Sequence, residues 1–454
     1  MNTRHSLSVA GDHPASRDWS GASRLGGGRR FLLLPKPLRR RIAVSLGVLS
    51  LAFTVHDKFP PARAALAAQP AVTRPLTRAC AAPALPLTGA EVLVSTETQL
   101  QHAMKNLQPG MTILIANGTY SLSATLHVDN VNNVTIRGAS GCGDVVLIGR
   151  GMTNSNFGAV PHGIWTNSAN TVIAHLTLRD IYYHPIILNP GAQRPRIYSV
   201  RLLNGGQQLI KSNPTSLAKS GVDDGVVEYS IMEFERTSRD HYTDGVDVIT
   251  GNNWVIRDNL FRNIRAPAGQ LAGPAILMWG GSNNTIVERN LFLNTQRGIA
   301  LGLQERVPND HSGGIIRNNI FYRKSGETGD TGVYVADSPN TKVLHNTVIL
   351  NGTYPNAIEY RFPDTTDVEI RFNLTDARIV SRDGATGNVA NNIVSASSSL
   401  FVDPANNDLH LRSAAALVID AAPVHPDVTD DFDGELRPRS GTASRDLGAD
   451  EFLP

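Results

Sequence analysis

The side chains best suited to acid–base chemistry lie in one central stretch of the chain. A lysine follows two apolar residues in Leu209-Ile210-Lys211, and a polar run begins with His241. A lysine can neutralise a substrate carboxylate, whereas His, Tyr and Asp can exchange protons when their surroundings adjust the pKa. The candidate site is therefore centred on seven residues: His184, Lys211, His241, Tyr242, Asp244, Asp247 and Trp279.

These residue types favour β-elimination from a uronate-containing glycan. In that reaction a cation offsets the sugar carboxylate, a base removes the adjacent proton, and an acid protonates the leaving oxygen. Lys211 would supply the charge, and His241 or Tyr242 would exchange the proton. The pattern requires no cofactor, although calcium is a candidate ligand of Asp244 and Asp247. The residues predicted to bind substrate are His184, Arg265, Trp279, Glu359 and Arg361.

Two other functions fit the same stretch. A glycoside hydrolase would use Asp244 and Asp247 as its carboxylate pair, because such groups lie about 5–9.5 Å apart. A non-catalytic polysaccharide-binding protein or cell-envelope adhesin would need only the charged surface. A polysaccharide is the expected partner in each case, and we expect a monomer. The sequence has no basic stripe or motif that indicates a nucleic-acid partner.

The candidate residues lie in a chain built from repeats. Asn252–Ile264 and Asn283–Thr295 align without a gap, and four shorter copies follow, each with a β-branched residue three positions before an asparagine. The aligned asparagines are Asn259, Asn290, Asn319, Asn346, Asn373 and Asn392. Short segments rich in Val and Ile, separated by Gly, Asn and Asp turns, predict strands. Their regular return predicts a stacked solenoid.

The predicted architecture is an all-β parallel β-helix of roughly eleven coils over residues 91–411. Equivalent positions of neighbouring coils lie about 4.8 Å apart, so the asparagines should form a structural ladder of stacked amides. Four coils separate Asp247 from Glu359, which corresponds to about 19 Å. That distance excludes these two carboxylates as a catalytic pair.

The first 64 residues are predicted to be a secretory signal with a long basic region. Six Lys and Arg residues between Arg29 and Arg41 precede the apolar run Ile42–Val55, and Ala62-Arg63-Ala64 follows it. This segment holds 11 basic and 3 acidic residues, so the remaining 31 basic and 37 acidic residues give the part of the chain after residue 64 a net charge of −6. We expect an exported protein, periplasmic or secreted, without a membrane segment after signal removal.

The segments at the two ends of the repeats have distinct patterns. Residues 65–90 are predicted to be a Pro/Ala-rich linker. A helical pattern within Glu91–Leu107, with Thr96 or Thr98 as N-cap, predicts a helix that covers the open edge of the first coil. Residues 412–454 are expected to form a tail that caps the β-helix. The two cysteines, Cys80 and Cys142, favour a disulfide in an exported protein, with two buried thiols as the alternative.

Motifs near both ends resemble a known family. ILIANGTY (Ile113–Tyr120), NVTIRG (Asn133–Gly138) and DVVLIG (Asp144–Gly149) resemble the opening coils of right-handed β-helix polysaccharide lyases, nearest to the group of chondroitinase B and β-helical alginate lyases. DFDGELRP (Asp431–Pro438) and DLGADEF (Asp446–Phe452) resemble the closing tail of many exported bacterial β-helix proteins. The resemblance implies a single-stranded right-handed, pectate-lyase-like β-helix and a polysaccharide substrate.

The resemblance does not extend to the catalytic pattern of those lyases. They place calcium ligands in a Gly-Glu-x-Glu type segment, where this chain has Gly205-Gly206-Gln207-Gln208. Their subsequent Lys and Leu-Arg-His pattern is replaced here by residues 241–247. The candidate catalytic residues are therefore those argued from this chain itself. Asp431–Gly434 also resembles a fragment of a calcium loop, but the other ligands are missing and a turn is predicted.

Overall fold

Short strands and tight corners fold the chain into a right-handed parallel β-helix of about ten turns. The structure, a computed structural model, describes residues 78–86, 89–217, 219–438 and 443–453. The predicted signal and the first part of the predicted linker lie outside these residues. Many corners contain Asn or Asp at positive φ, such as Asn263 and Asn294. Their short polar side chains tolerate this conformation, so the chain can turn sharply after each strand.

The strands of successive turns form three parallel sheets. The first sheet contains Ala90–Val94, Met111–Ile115, Thr135–Gly138, Val172–Ala174, Arg196–Tyr198, Val226–Glu228, Val255–Arg257, Ile286–Glu288, Ile315–Arg317, Lys342–Leu344, Val368–Arg371 and Gly387–Ala390. The second contains Gly118–Ser121, Val145–Ile148, Thr177–Arg179, Arg201–Leu203, Ile231–Glu233, Leu260–Arg262, Leu291–Leu293, Ile320–Tyr322, Thr347–Ile349 and Leu374–Thr375. The third contains Leu126–Val128, Ile164–Thr166, Ile186–Leu188, Ile210–Ser212, Val246–Ile249, Ile276–Trp279, Ile299–Leu301, Val333–Ala336, Asn356–Arg361 and Arg378–Arg382.

The core runs along the inside of the three sheets. Alternate strand residues point inward, and equivalent residues of successive turns stack on one another. Phe261, Phe292 and Phe321 form one such column, with ring centroids 4.9 and 4.4 Å apart and nearly parallel planes. Each fully buried side chain of this size contributes about 1.5–3 kcal/mol of hydrophobic free energy. The other strand residues point outward and are available to build a site.

The six aligned asparagines form one continuous ladder at a corner of the coil. Each asparagine from Asn259 to Asn373 makes two hydrogen bonds to the next asparagine in the ladder. Its backbone N–H and its side-chain Nδ2 both donate to Oδ1 of that residue, at 2.9–3.1 Å. Nδ2 of Asn319 also donates to the backbone oxygen of Val287 at 2.9 Å. The ladder therefore satisfies backbone groups that the tight corner would otherwise leave buried and unbonded.

Replacing Asn319 with leucine is expected to lower the free energy of unfolding by about 1–3 kcal/mol. The substitution removes the amide that bonds Asn290 on one side and Asn346 on the other. Chemical denaturation measures the loss, and the exposed Asn156 replaced by leucine is the control. Catalytic turnover per folded molecule should be unchanged. A large loss of turnover at unchanged stability would show that the ladder has a functional role.

The N-terminal part of the described chain begins with a strand and then a short helix. Ala90–Val94 pairs with Met111–Ile115, so the start of the predicted helical stretch is instead the first strand of the first sheet. The helix α1 spans Glu97–Lys105, and the Thr96 side chain accepts from the Gln99 N–H. Its buried side chains are Leu100, Ala103 and Met104. Within the described residues, no helix has the length and hydropathy needed to cross a bilayer.

A disulfide joins Cys80 to Cys142, with the two Cα atoms 5.8 Å apart. The segment around Cys80 follows the outside of the coils, since the Cys80 N–H donates to the Tyr229 carbonyl at 2.7 Å. Arg78 also bonds Asp258 at 3.1 Å. This segment is therefore fixed both covalently and by contacts with later turns.

The C-terminal tail packs against the outer face of the second sheet. It contains the antiparallel strands Phe401–Asp403 and Asp408–Leu411, the pair Ala422–Pro423 and Ser444–Arg445, and the 3-10 turns Ser398–Leu400 and Pro404–Asn406. Apolar tail residues such as Phe401, Leu409 and Leu447 cover outward-facing residues of the second sheet such as Leu291 and Ile320. The short parallel pair Ser282–Asn283 and His311–Ser312 belongs to a corner instead. The tail thus leaves the outer face of the third sheet uncovered.

Candidate functional site

The outer face of the third sheet carries one register-aligned column of side chains. From the N-terminal end it reads His127, Trp165, Ile187, Lys211, Asp247, Leu277, Ala300, Tyr334, Glu359 and Val380. The loops Glu235–Asp244 and Arg262–Pro274 precede strands of this sheet, and Ser212–Gly225 and Leu303–Gly314 follow them. These loops therefore flank the column on both sides.

Lys211 and Asp247 form a buried ion pair in the middle of this column. They are register partners on adjacent strands, and Lys211 Nζ donates to Asp247 Oδ2 at 2.5 Å. The exposed fractions of the two side chains are 6% and 3%. Burial alone would lower the pKa of Lys211, but Asp247, Tyr242 and Asp244 outweigh it and raise the pKa. The lysine is therefore held as an ammonium group.

Trp279 completes the bonding of the Asp247 carboxylate. Its indole Nε1–H donates to Asp247 Oδ1 at 2.9 Å, so each carboxylate oxygen has a donor. The guanidinium of Arg306 lies 5.9 Å from the centroid of the same indole ring. Asp247 is thus an oriented carboxylate, and the half-buried Trp279 links it to the flanking loop that contains Arg306.

Asp244 lies beside this pair in a water-poor position. It is 4% exposed, and its Oδ1 makes no hydrogen bond of regular geometry. That oxygen lies against Gly273, where an added Cβ would be 1.5 Å from it. Burial first, and then the negative charge of Asp247, raise the pKa of Asp244 well above its usual value, although Lys211 and Gln208 oppose the shift. The surroundings of Asp244 therefore favour its protonated form.

Tyr242 and His241 form the exposed edge of the site. The Tyr242 N–H donates to Asp240 Oδ1 at 2.9 Å, which fixes the loop beside the buried acids. Although 41% of Tyr242 is exposed, burial raises its pKa, with Lys211 opposing and Asp247 and Asp244 supporting the shift. His241 is exposed. A ligand that approaches the buried groups would first meet these two side chains.

His184 belongs to a second column that leads towards Asp244. His184, Gln208 and Asp244 each stand three residues before a member of the aligned column, and His162 does the same one turn earlier. The rings of His162 and His184 stack at 5.4 Å, and His184 Nδ1 lies 3.0 Å from the Gln208 carbonyl oxygen. Burial, reinforced by His162, lowers the pKa of His184 well below its usual value. His184 is therefore a neutral imidazole.

Three predicted binding residues lie away from Lys211. Arg265 pairs with Glu327, which precedes a strand two turns further along. Glu359 is four strands from Asp247 and is buried beneath Arg382, which donates to Oε2 at 2.8 Å. Arg361 pairs with Asp383. At the strand spacing, Glu359 lies about 19 Å from Asp247, so these groups form a separate polar area on the same face.

The Asp244–Asp247 arrangement does not suit a calcium ion. Calcium takes six to eight oxygen ligands, whereas the Lys211 ammonium and the Trp279 indole already occupy both oxygens of Asp247. Burial also raises the pKa of Asp244, which disfavours the charged form that a calcium ligand supplies. The Lys211 ammonium already provides the positive charge beside Asp247.

Several side chains of the site were absent from the residues predicted from sequence. His162 and Gln208 extend the column of His184 and Asp244, and Arg239 lies over the ring of Tyr182 at 4.6 Å. An alignment of third-sheet strands extended three residues upstream would have identified His162 and Gln208. The contact of Arg239 comes from a loop without repeat symmetry, so periodicity gave no signal for it.

A cavity lies elsewhere, on the outer face of the second sheet. It has a volume of about 490 Å³ and is lined by residues that include Glu233, Arg262, Lys324 and Asn407. Glu233 already accepts bonds from Arg201 and Arg262, so its carboxylate is paired within the protein. We place the candidate site on the third sheet instead, because it combines an acid of raised pKa, an oriented carboxylate and flanking loops.

Comparisons with known proteins agree with this architecture. Residues 220–399 match the family model described as right handed beta helix region. The chain has the right-handed parallel β-helix fold. A solved structure described as a glycoside hydrolase is similar with a TM-score of 0.51 and 10% identity, over 72% of this chain and 100% of its own. No curated protein matches the chain in sequence.

Solved lyases also appear among the structural neighbours of this β-helix. An alginate lyase from Paenibacillus sp. str. FPU-7 has a TM-score of 0.46 and 17% identity, over 67% of this chain and 99% of its own. Pectate lyase Pel9A has a TM-score of 0.45 and 12% identity, over 78% of this chain and 90% of its own. The neighbours thus include polysaccharide lyases and a glycoside hydrolase, and the likeness concerns the fold.

Proposed function

We propose that this β-helix protein cleaves a polysaccharide on the outer face of its third sheet, by glycoside hydrolysis. The observation that carries the proposal is the unequal pair formed by Asp244 and Asp247. Asp244 is buried and has a raised pKa, whereas the two oxygens of Asp247 accept from the Lys211 ammonium and the Trp279 indole. Glycosidic cleavage uses two carboxyl groups in different environments, one as the general acid and one as the carboxylate, and this pair has that difference.

In this mechanism Asp244 is the general acid. It would give its proton to the glycosidic oxygen as the bond to the leaving sugar breaks, which lowers the barrier because the leaving group departs as an alcohol. Its raised pKa extends the protonated form to higher pH than in an ordinary aspartic acid. Gly273 leaves room for Asp244, since any larger residue at that position would displace the carboxyl group.

Asp247 is the negative group that stabilises the positive charge developing on the sugar ring. A water molecule then bonds to the anomeric carbon and gives its proton to the Asp244 carboxylate, which restores the acid. The orientation of Asp247 comes from Lys211 and Trp279, which bond its two oxygens. Lys211 therefore acts as a positioning residue rather than as a partner for a substrate carboxylate. This differs from the role expected from sequence, because the charge of Lys211 is already matched inside the protein.

The substrate would lie along the third sheet, between the flanking loops. His241 and Tyr242 are exposed beside the acids, and the half-buried Trp279 offers a ring on which a sugar can pack. The polar area at Glu359 and Arg361 lies about 19 Å away or more, a distance of several sugar rings. A long glycan would therefore contact both areas at once.

β-Elimination from a uronate-containing glycan is the second candidate. It is favoured by the position of Tyr242, a partly exposed side chain whose hydroxyl pKa responds to the Lys211 ammonium. In that reaction Tyr242 or His241 would exchange the proton. Lys211 is already paired with Asp247 and so does not offer an unmatched charge to the sugar carboxylate, which is why we place this reaction second.

We also infer that the protein acts outside the cytoplasm. The Cys80–Cys142 disulfide supports this inference, since disulfides persist in oxidising compartments. Isolation of the protein from cell fractions under thiol-blocking conditions tests it. Recovery of the protein mainly from the cytoplasm with both thiols reduced would contradict it.

A panel of acidic and neutral polysaccharides tests the proposed function. Alginate, polygalacturonate, chondroitin sulfate and xylan would each be incubated with the protein and followed by reducing-sugar assay and by ultraviolet absorbance of unsaturated uronate. Hydrolysis gives new reducing ends without the absorbance, whereas β-elimination gives both. Binding of a glycan without new reducing ends would favour the non-catalytic alternative.

Arg361 provides a prediction about substrate length. Arg361→Ala is expected to weaken the binding of long oligosaccharides and to leave the cleavage of short ones unchanged, because Arg361 is about 19 Å or more from Asp247. The KM for substrates of increasing length measures the effect, with Arg378→Ala, an exposed arginine of a neighbouring strand, as the control. Loss of cleavage of the shortest substrates would place the reacting centre near Arg361.

A further inference from the structure

Three separate parts of the C-terminal tail meet at His410, Asp433 and Asp450. His410 lies on the strand Asp408–Leu411, Asp433 on the turn after Asp431, and Asp450 near the end of the described chain. One imidazole nitrogen and one oxygen of each carboxylate lie within 4.8 Å of one another. Among the residues that the structure describes, no other group of three or more His, Cys, Asp or Glu side chains has this arrangement.

The orientation of His410 is fixed from behind. His410 Nδ1 lies 2.6 Å from Asp408 Oδ1, and the His410 N–H also donates to this oxygen at 3.1 Å. A carboxylate bonded to one ring nitrogen directs the other nitrogen, Nε2, towards Asp433 and Asp450. Metal-binding histidines are commonly oriented by such a carboxylate.

His410 Nε2 faces the Asp433 carboxylate. His410 is 5% exposed and its Nε2 is fully buried. Nε2 lies 3.1 Å from Asp433 Oδ2. A buried nitrogen and a carboxylate oxygen at this distance are spaced as two ligands of one ion are. Two ligands about 2.0–2.2 Å from a zinc ion are separated by such a distance.

We propose that His410, Asp433 and Asp450 bind a divalent transition-metal ion of the zinc class. An imidazole nitrogen with carboxylate oxygens suits Zn²⁺, whereas Ca²⁺ and Mg²⁺ favour all-oxygen sites. Two carboxylates would balance the ion's charge, and His410 would release its proton as the ion binds. The site is independent of the proposed catalytic centre, because it lies in the tail that packs on the second sheet.

The ion would join the three parts of the tail. Asp450 Oδ2 already accepts the Leu411 N–H at 2.6 Å, and the Phe432 N–H donates to the Ala449 carbonyl at 2.8 Å. These bonds hold the same segments together in pairs. A metal ion would link all three at one point and so stabilise the docking of the tail.

Zinc titration of the full protein tests the site. The protein is treated with EDTA, dialysed, and titrated with ZnCl₂ by isothermal titration calorimetry, with CaCl₂ in a parallel titration, while the melting temperature is followed in both. We expect one equivalent of Zn²⁺ to bind and the melting temperature to rise. His410→Gln and Asp433→Asn should each weaken Zn²⁺ binding at least tenfold, and Asp408→Asn by about 10–100-fold.

His425→Gln is the matched control. His425 is another buried tail histidine beside carboxylates, with Glu369 Oε1 3.3 Å from its Nε2, but it lies outside the cluster. Its variant should bind Zn²⁺ as the parent does. If His410→Gln fails to fold, the Asp433→Asn variant is titrated instead, because Asp433 is partly exposed. Absence of zinc binding, binding of Ca²⁺ in preference to Zn²⁺, or unchanged binding in Asp433→Asn would each overturn the proposal.

Discussion

Asp244→Asn is expected to abolish glycan cleavage without lowering the melting temperature. Loss of a general acid reduces the rate by about 10²–10⁴-fold. Asparagine has the same shape as the protonated form of Asp244, which its position beside Gly273 favours. It therefore fills the same space without the cost of ionising in a buried position. Initial rates on the responsive glycan and differential scanning calorimetry measure the two effects.

The control for this experiment is Asp240→Asn. Asp240 is on the same loop and accepts a hydrogen bond from the Tyr242 N–H, but it has no role in the proposed mechanism. The Asp240→Asn variant should therefore retain most of the parent's activity. If Asp244→Asn keeps the parent's rate while the protein remains folded, Asp244 is not the acid.

The raised pKa of Asp244 also predicts how the cleavage rate and the free energy of unfolding change with pH. Cleavage should decrease as the pH rises through the pKa of Asp244, because the acid loses its proton. The folded state holds this proton more tightly than the unfolded state does, so this group's contribution to the free energy of unfolding decreases from about pH 4 towards the raised pKa. Asp244→Asn removes that decrease. The melting-temperature difference between the variant and the parent should therefore grow with pH across this window.

Lys211→Met is expected to destabilise the protein by about 3–5 kcal/mol. The substitution removes the ammonium that bonds Asp247 Oδ2 and leaves a buried carboxylate without its counter-charge. Asp247→Leu should cost a similar amount, because it leaves the ammonium buried. In the double variant Lys211→Met/Asp247→Leu both charges are absent, and most of the lost stability should return. Urea denaturation of the four proteins completes the double-mutant cycle.

Activity assays distinguish the contribution of this ion pair to stability from the catalytic role of the Asp247 carboxylate. The double variant should be stable but inactive, because it lacks the Asp247 carboxylate. A double variant that is stable and also active would remove Asp247 from the mechanism. Equal, additive losses in the two single variants, with no recovery in the double variant, would show that the pair is not coupled.

The sequence was sufficient to predict the parts of the molecule that repeat. The asparagine column and the Val/Ile strands return with each turn, so the parallel β-helix and the neighbouring positions of Lys211 and Asp247 follow from counting residues. The same count places Glu359 four strands from Asp247. The sequence predicts a helical stretch over Glu91–Leu107, but its start is the strand Ala90–Val94. This segment has no repeated copy elsewhere in the chain, so no regular spacing identifies it as a strand.

The remaining features of the site depend on contacts made by residues that are not part of the sequence repeat. The pairing of Arg265 with Glu327 is set by the length and course of two loops. The raised pKa of Asp244 depends on its burial against Gly273 and on the charge of Asp247, which a residue pattern does not contain. The tail's packing on the second sheet likewise depends on tertiary contacts of residues such as Phe401 and Leu447.

Dependence of the rate on the leaving group tests the central claim most directly. Aryl glycosides of the sugar released in the polysaccharide assay would be compared in the parent and in Asp244→Asn, from poor to good leaving groups. A phenolate of low pKa leaves without protonation, so the variant should cleave the best substrates almost as fast as the parent and the poorest at least a hundredfold more slowly. An equal rate loss across the whole series would contradict the assignment of Asp244 as the proton donor.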